Sequence, residues 1–181
     1  MPSKKWIFLT NLWLSLIMST ILTICLTIGQ SNPNYPLAPG SHLSLSGFGT
    51  TFAVAFLASM LIATTVPLMR IGGWLTRRMD GEPGTHLWWL VDSAMQVTFF
   101  LVLVNFFVTV GLTIINAGVP ALSLNALNPV TGLNWVDLWW VLNMKFWAIA
   151  YVAFLIARPT AEALATKTAG ETLAQSPETA L

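Results

Sequence analysis

Leu87 to Ile115 reads LWWLVDSAMQVTFFLVLVNFFVTVGLTII, 29 residues with one charge, Asp92. A bilayer core about 30 Å thick needs roughly 20 apolar residues in a helix. This run is long enough to cross a membrane and to tilt while doing so. Three more stretches meet the length: about Trp6 to Ile28, Phe48 to Met69, and Trp135 to Ala157. The expected fold is therefore an all-α membrane protein with four transmembrane helices. Composition agrees, since only 8% of the 181 residues are charged and 55% are hydrophobic, against about 25% charged in a soluble domain.

The loops set an orientation. Lys4 and Lys5 precede the first span, Arg70, Arg77 and Arg78 lie between the second and third, and Arg158 and Lys167 follow the fourth. The segments 30–47 and 116–134 contain no Lys or Arg. Seven of the eight basic residues thus fall on one side, which the positive-inside rule makes the cytoplasm. Both termini are expected there, in the inner membrane of a bacterium. Trp6, Trp74, Trp88 and Trp89 would mark the inner boundary and Trp135, Trp139 and Trp140 the outer one, where an amphipathic indole prefers to sit. The first span is too long for a signal peptide and is followed by no small-x-small cleavage site, so it reads as a retained anchor. The tail from 161 to 181 is polar and poor in aromatics, and is expected to fray after one or two helical turns.

The two halves, 1–80 and 81–160, read as parallel repeats of one helix pair. Thr23-Ile24-Cys25-Leu26-Thr27-Ile28 aligns with Thr109-Val110-Gly111-Leu112-Thr113-Ile114. Phe52-Ala53-Val54-Ala55-Phe56-Leu57-Ala58 aligns with Trp147-Ala148-Ile149-Ala150-Tyr151-Val152-Ala153. Pro67 and Pro159 close the two units after a three-residue gap. Such a repeat implies a pseudo-two-fold axis along the membrane normal. Along the first span Asn11, Ser15, Ser19, Thr23 and Thr27 recur every four residues, and Asn105, Thr109 and Thr113 do so in the third. Ala55, Ser59 and Ala63, and Ala153 and Ala157, form small-residue rows. Residues four apart share a helix face, and small faces allow close packing and hydrogen bonds between membrane helices. The hydroxyls serve such packing or bond the carbonyl of their own preceding turn; the alternative is a wet polar pathway along the seam.

These features resemble a family of short bacterial membrane proteins known as a domain of unknown function. Its two-helix unit tends to read Met-Ser-x-x-x-Thr in the first helix and to end the second with an apolar run, a proline and basic residues. Met18-Ser19 with Thr23, Val66-Pro67-Leu68-Met69-Arg70 and Ile156-Ala157-Arg158-Pro159 carry the likeness. It implies a tandem form over about residues 11–78 and 92–166. Val104-Asn105 departs from the pattern where Met-Ser would stand. The resemblance brings no activity and no residue roles.

Few residues could carry chemistry. Lys145 lies inside the fourth span, about 10 Å from its outer end, and a charge there is a functional candidate by default. Either its amine faces the bundle near Asn105, or its stem lifts it outward toward Asp137. Asp92, with Gln96 one turn further on the same face, is either a proton-accepting carboxylate at a vestibule or an interfacial group answering Arg77 or Arg78. Asp92 and Lys145 stand too far apart in depth to pair. His42 and His86 fall on opposite sides, and neither has a helical partner at metal-binding spacing. The lone Cys25 excludes a disulfide framework and a cysteine metal cluster within one chain. No phosphate loop or nucleophile elbow is present. No cofactor, metal or nucleic-acid partner is expected, and an enzyme is disfavoured. The expectation is a small transporter or transport-associated protein in the bilayer, as a homo-oligomer or in a larger complex, with Lys145, Asn105, Asp92, Gln96 and Asp137 as candidate site. The alternative is a structural or accessory subunit of a membrane complex.

Overall fold

The computed structural model describes residues 3–31, 45–78, 84–127 and 132–170. The described residues are helical apart from short connections: α1 (Lys4–Ser31), α2 (Leu45–Thr65), α3 (Leu68–Arg78), α4 (His86–Ala117), a 3₁₀ turn (Val119–Leu122) and α5 (Trp135–Ala169). Four of these, α1, α2, α4 and α5, are long and apolar enough to cross a membrane. The proline-rich stretch 32–44 with His42, the side chain of Thr27, and residues 171–181 lie outside the described residues.

Local chemistry fixes several helix ends. Thr85 caps α4, its hydroxyl oxygen accepting from the Trp88 N–H at 3.1 Å. Asn134 caps α5 by accepting from the N–H groups of Val136 and Asp137 at 3.0 and 2.9 Å. Each such cap satisfies donors that the first turn leaves unpaired. Gly170 ends α5 in the left-handed region, φ 74°, with its N–H on the Thr166 carbonyl. That conformation costs a glycine little.

The four long helices form a ring in the order α1, α2, α4, α5, and α3 lies against α4. Lipid offers no hydrophobic drive between helices, so close packing and hydrogen bonds hold them. The small-residue faces supply both. Ser15, Ser19, Thr23, Ala55 and Ser59 are buried, Ser19 Oγ donates to Ser59 Oγ at 3.3 Å, and Asn11 Nδ2 donates to the Ala63 carbonyl at 3.0 Å. Leu57, Val152, Ile156 and other large apolar side chains point outward, as a lipid-facing surface requires.

The ends of α1 and α5 meet. Trp6 is 2% exposed, and its indole N–H donates to Thr166 Oγ1 at 3.0 Å. Trp6 is thus a packing residue, whereas the sequence suggested a boundary anchor. The helix of the fourth span also continues past Pro159 to Ala169, slightly beyond the one or two turns expected after Thr160. Ala161 and Ala165 are fully buried, extending the row of Ala153 and Ala157 by two turns. This packing outweighs the hydrogen bond that Pro159 removes.

Candidate functional site

α3 is the element the sequence hid. Two adjacent glycines give it a poor helix propensity, and its arginines suggested a loop. Gly72 and Thr76, one turn apart, are its buried face, with Thr76 Oγ1 donating to the Gly72 carbonyl at 2.9 Å. That face lies directly over Asp92 and Gln96 of α4. A Cβ at Gly72 would stand 2.6 Å from Asp92 Oδ1 and 2.8 Å from Gln96 Cγ. Glycine is what allows α3 to approach so closely.

Beneath α3 the helices assemble a buried polar cluster. Gln96 Nε2 donates to Asp92 Oδ2 at 2.7 Å, as their spacing on one face predicted. Arg158 of α5 donates from Nη1 to the same oxygen at 3.3 Å, and from Nε to Glu162 Oε1 at 3.3 Å. Asp92 therefore answers Arg158; the expected partners Arg77 and Arg78 lie on the exposed side of α3. Asp92 and Arg158 are 9% and 14% exposed in their side chains. Asp92 Oδ1 is buried and accepts no hydrogen bond among the described residues, and neither the hydroxyl of neighbouring Ser93 nor that of Ser15 has a partner there. Asp92 and Glu162 thus meet on the one guanidinium of Arg158.

The other candidates separate. Asn105 is buried, and its Nδ2 donates to Asn143 Oδ1 at 3.1 Å. Lys145 stands two residues beyond Asn143, about 200° around the helix, and is exposed on the outer surface of α5. It does not face the bundle interior beside Asn105. Asp137 is exposed and accepts from Asn134 Nδ2 at 2.9 Å, inside the cap of α5. Between the Asp92 cluster and Asn105, α4 presents Val97, Phe100, Leu101 and Val104, all buried. A cavity of about 20 Å³ near them, lined by Met18, Leu22, Cys25, Leu101 and Ala150 among others, is apolar except for Ser59.

α5 also grips α4 through a stripe recurring every four residues. Trp139 Nε1 donates to the Val102 carbonyl at 2.9 Å, Trp147 Nε1 to Thr98 Oγ1 at 2.8 Å, and Tyr151 Oη to the Leu90 carbonyl at 3.1 Å. Asn143 belongs to the same stripe, and Trp135 Nε1 extends it to the Leu122 carbonyl at 2.7 Å. From sequence, Trp135 and Trp139 read as boundary anchors; their common spacing with Asn143, Trp147 and Tyr151 was the available sign of a helix contact.

Among the described residues no three His, Cys, Asp or Glu side chains converge as a metal set would require. Compared with family models, curated proteins and solved structures, the chain matches none.

Proposed function

We propose that the protein is a small carrier-type membrane protein whose working group is the Asp92–Arg158–Glu162 cluster. One observation carries this: a buried carboxylate in a spanning helix, beside an arginine of α5, with one oxygen that accepts no hydrogen bond among the described residues and lies beneath α3. Ionisable groups inside spans are expensive and accordingly tend to be functional. A proton would be taken up and released at that oxygen, and α3 would gate its entry. The apolar stretch of α4 above the cluster would hold the closed state.

Proton flux into liposomes under an imposed potential, read by an internal pH dye, tests the idea without a known substrate. Wild type should conduct and Asp92→Asn should lose most of the flux, about tenfold, as removal of a charge-bearing group in the path implies. Equal rates for protein-free, wild-type and variant vesicles would remove the carrier assignment.

Lys145 supports a second reading, an accessory subunit. A lysine exposed on the outer surface of a span, beside Met144 at 64% exposure, suits contact with another membrane protein. A native detergent extract would then hold the chain in a larger assembly, and Lys145→Met would return it to single-chain size.

We also propose the bacterial inner membrane, with both termini cytoplasmic, from the seven basic residues on one side. A tandem relation to the two-helix family is proposed on the paired motifs. The equivalent burial of Ser19 and Asn105, Thr23 and Thr109, and Ala55 and Ala150 supports it.

A further inference from the structure

The outer side of α3 remains unused by the cluster beneath it. α3 begins three residues after α2 ends and precedes α4, so it sits where two spans leave the bilayer. Its inner face is Gly72 and Thr76; its outer face presents Trp74, 53% exposed, with Arg77 and Arg78. The Arg78 guanidinium carbon lies 4.1 Å from the centre of the Trp74 ring. Neither arginine pairs with a carboxylate among the described residues.

We infer that this face binds the phosphate of an anionic phospholipid headgroup. The chemistry is specific at three points. Tryptophan prefers the headgroup level of a bilayer. Stacking on the indole holds Arg78 in place, so less freedom is lost when its planar N–H edge meets a phosphate. Arg77 adjoins it on the exposed side, and a guanidinium pair can grip phosphate oxygens bidentately. The occupant is a lipid because α3 joins the ends of two spans and so lies within reach of headgroups. This inference does not depend on the carrier assignment.

The test uses the full chain in detergent, offered equal phosphatidylglycerol and phosphatidylcholine, with retained lipid counted by native mass spectrometry. Wild type should prefer phosphatidylglycerol by about tenfold or more, the effect of two surface arginines. Arg77→Gln with Arg78→Gln should abolish that preference, while the matching lysine replacements, which keep the charge but lose the planar fork, should restore only part of it. Lys4→Gln with Lys5→Gln, at the same end of the molecule, should leave it unchanged. Trp74→Ala should weaken it by roughly threefold, the size of an exposed cation–π contact. Equal retention of both lipids by wild type, or loss of preference only in the lysine-4,5 variant, would overturn the assignment. So would displacement of the lipid by millimolar inorganic phosphate, which would mark a free-phosphate site.

Discussion

At Gly72 and Gly73 the same substitution has opposite expected effects. Alanine is favoured over glycine in a helix by about 1 kcal/mol. At Gly73 the new methyl would meet Trp88 at 3.9 Å, an ordinary contact, so Gly73→Ala should stabilise by up to about 1 kcal/mol. At Gly72 it would collide with Asp92 Oδ1 and Gln96 Cγ, and overpacking costs roughly 1–3 kcal/mol. Gly72→Ala should therefore lower the thermal midpoint in detergent while Gly73→Ala raises it. Matching shifts would show that α3 does not press on the cluster. At this scale sequence reveals only part of the site. The Asp92–Gln96 bond follows from helix spacing and was legible. Arg158 lies 66 positions from Asp92, and their meeting depends on how far α5 slides along α4, which no local pattern encodes. Lys145 drew attention through its charge, yet charge alone does not tell which side of a helix meets a neighbour.

Among the elements, α5 shows what was readable and what was overlooked. Its start was marked by Asn134, and its apolar run by composition. Its end was obscured by the polar tail, which suggested only one or two turns beyond Thr160. The alanines at 153, 157, 161 and 165 carried the contrary sign, since a face of small residues repeated every four positions implies a packed helix. Ala165→Leu should wedge α5 from α1 and cost about 1–3 kcal/mol. Ala163→Leu adds the same atoms at an exposed position and should stay within about 0.5 kcal/mol of wild type. Thermal unfolding of the pair, monitored by circular dichroism, distinguishes a docked extension from a loose one. α3 was overlooked for a different reason: its stability comes from α4, and its own residues argue against a helix.

For the whole molecule, the four spans were legible because lipid demands about 20 apolar residues in each, and that demand is written into composition. Their ring order was not, because many arrangements satisfy it. The structure puts the start of α1 and the end of α5 together. A reporter fused after Leu181 and one fused before Met1 should therefore report the same compartment. With the proposed orientation, a reporter active only in the periplasm should be silent at both positions. Signals that differ between the two ends would contradict an even number of crossings.

The clasp between Trp6 and Thr166 joins residues 160 positions apart. Ribosomes add about 5–20 residues each second, so the partner of Trp6 is made roughly 8–30 s after it. α2 can cover one flank of α1 early, through Ser19 and Ser59. The flank that α5 covers stays open until α5 itself has been made. Of the four spans, α1 is made before the others yet waits for α5 to be enclosed. A chain interrupted before α5 would leave the α5-facing side of α1 uncovered in the bilayer, a mark by which membrane quality control would tell it from chains that carry α5.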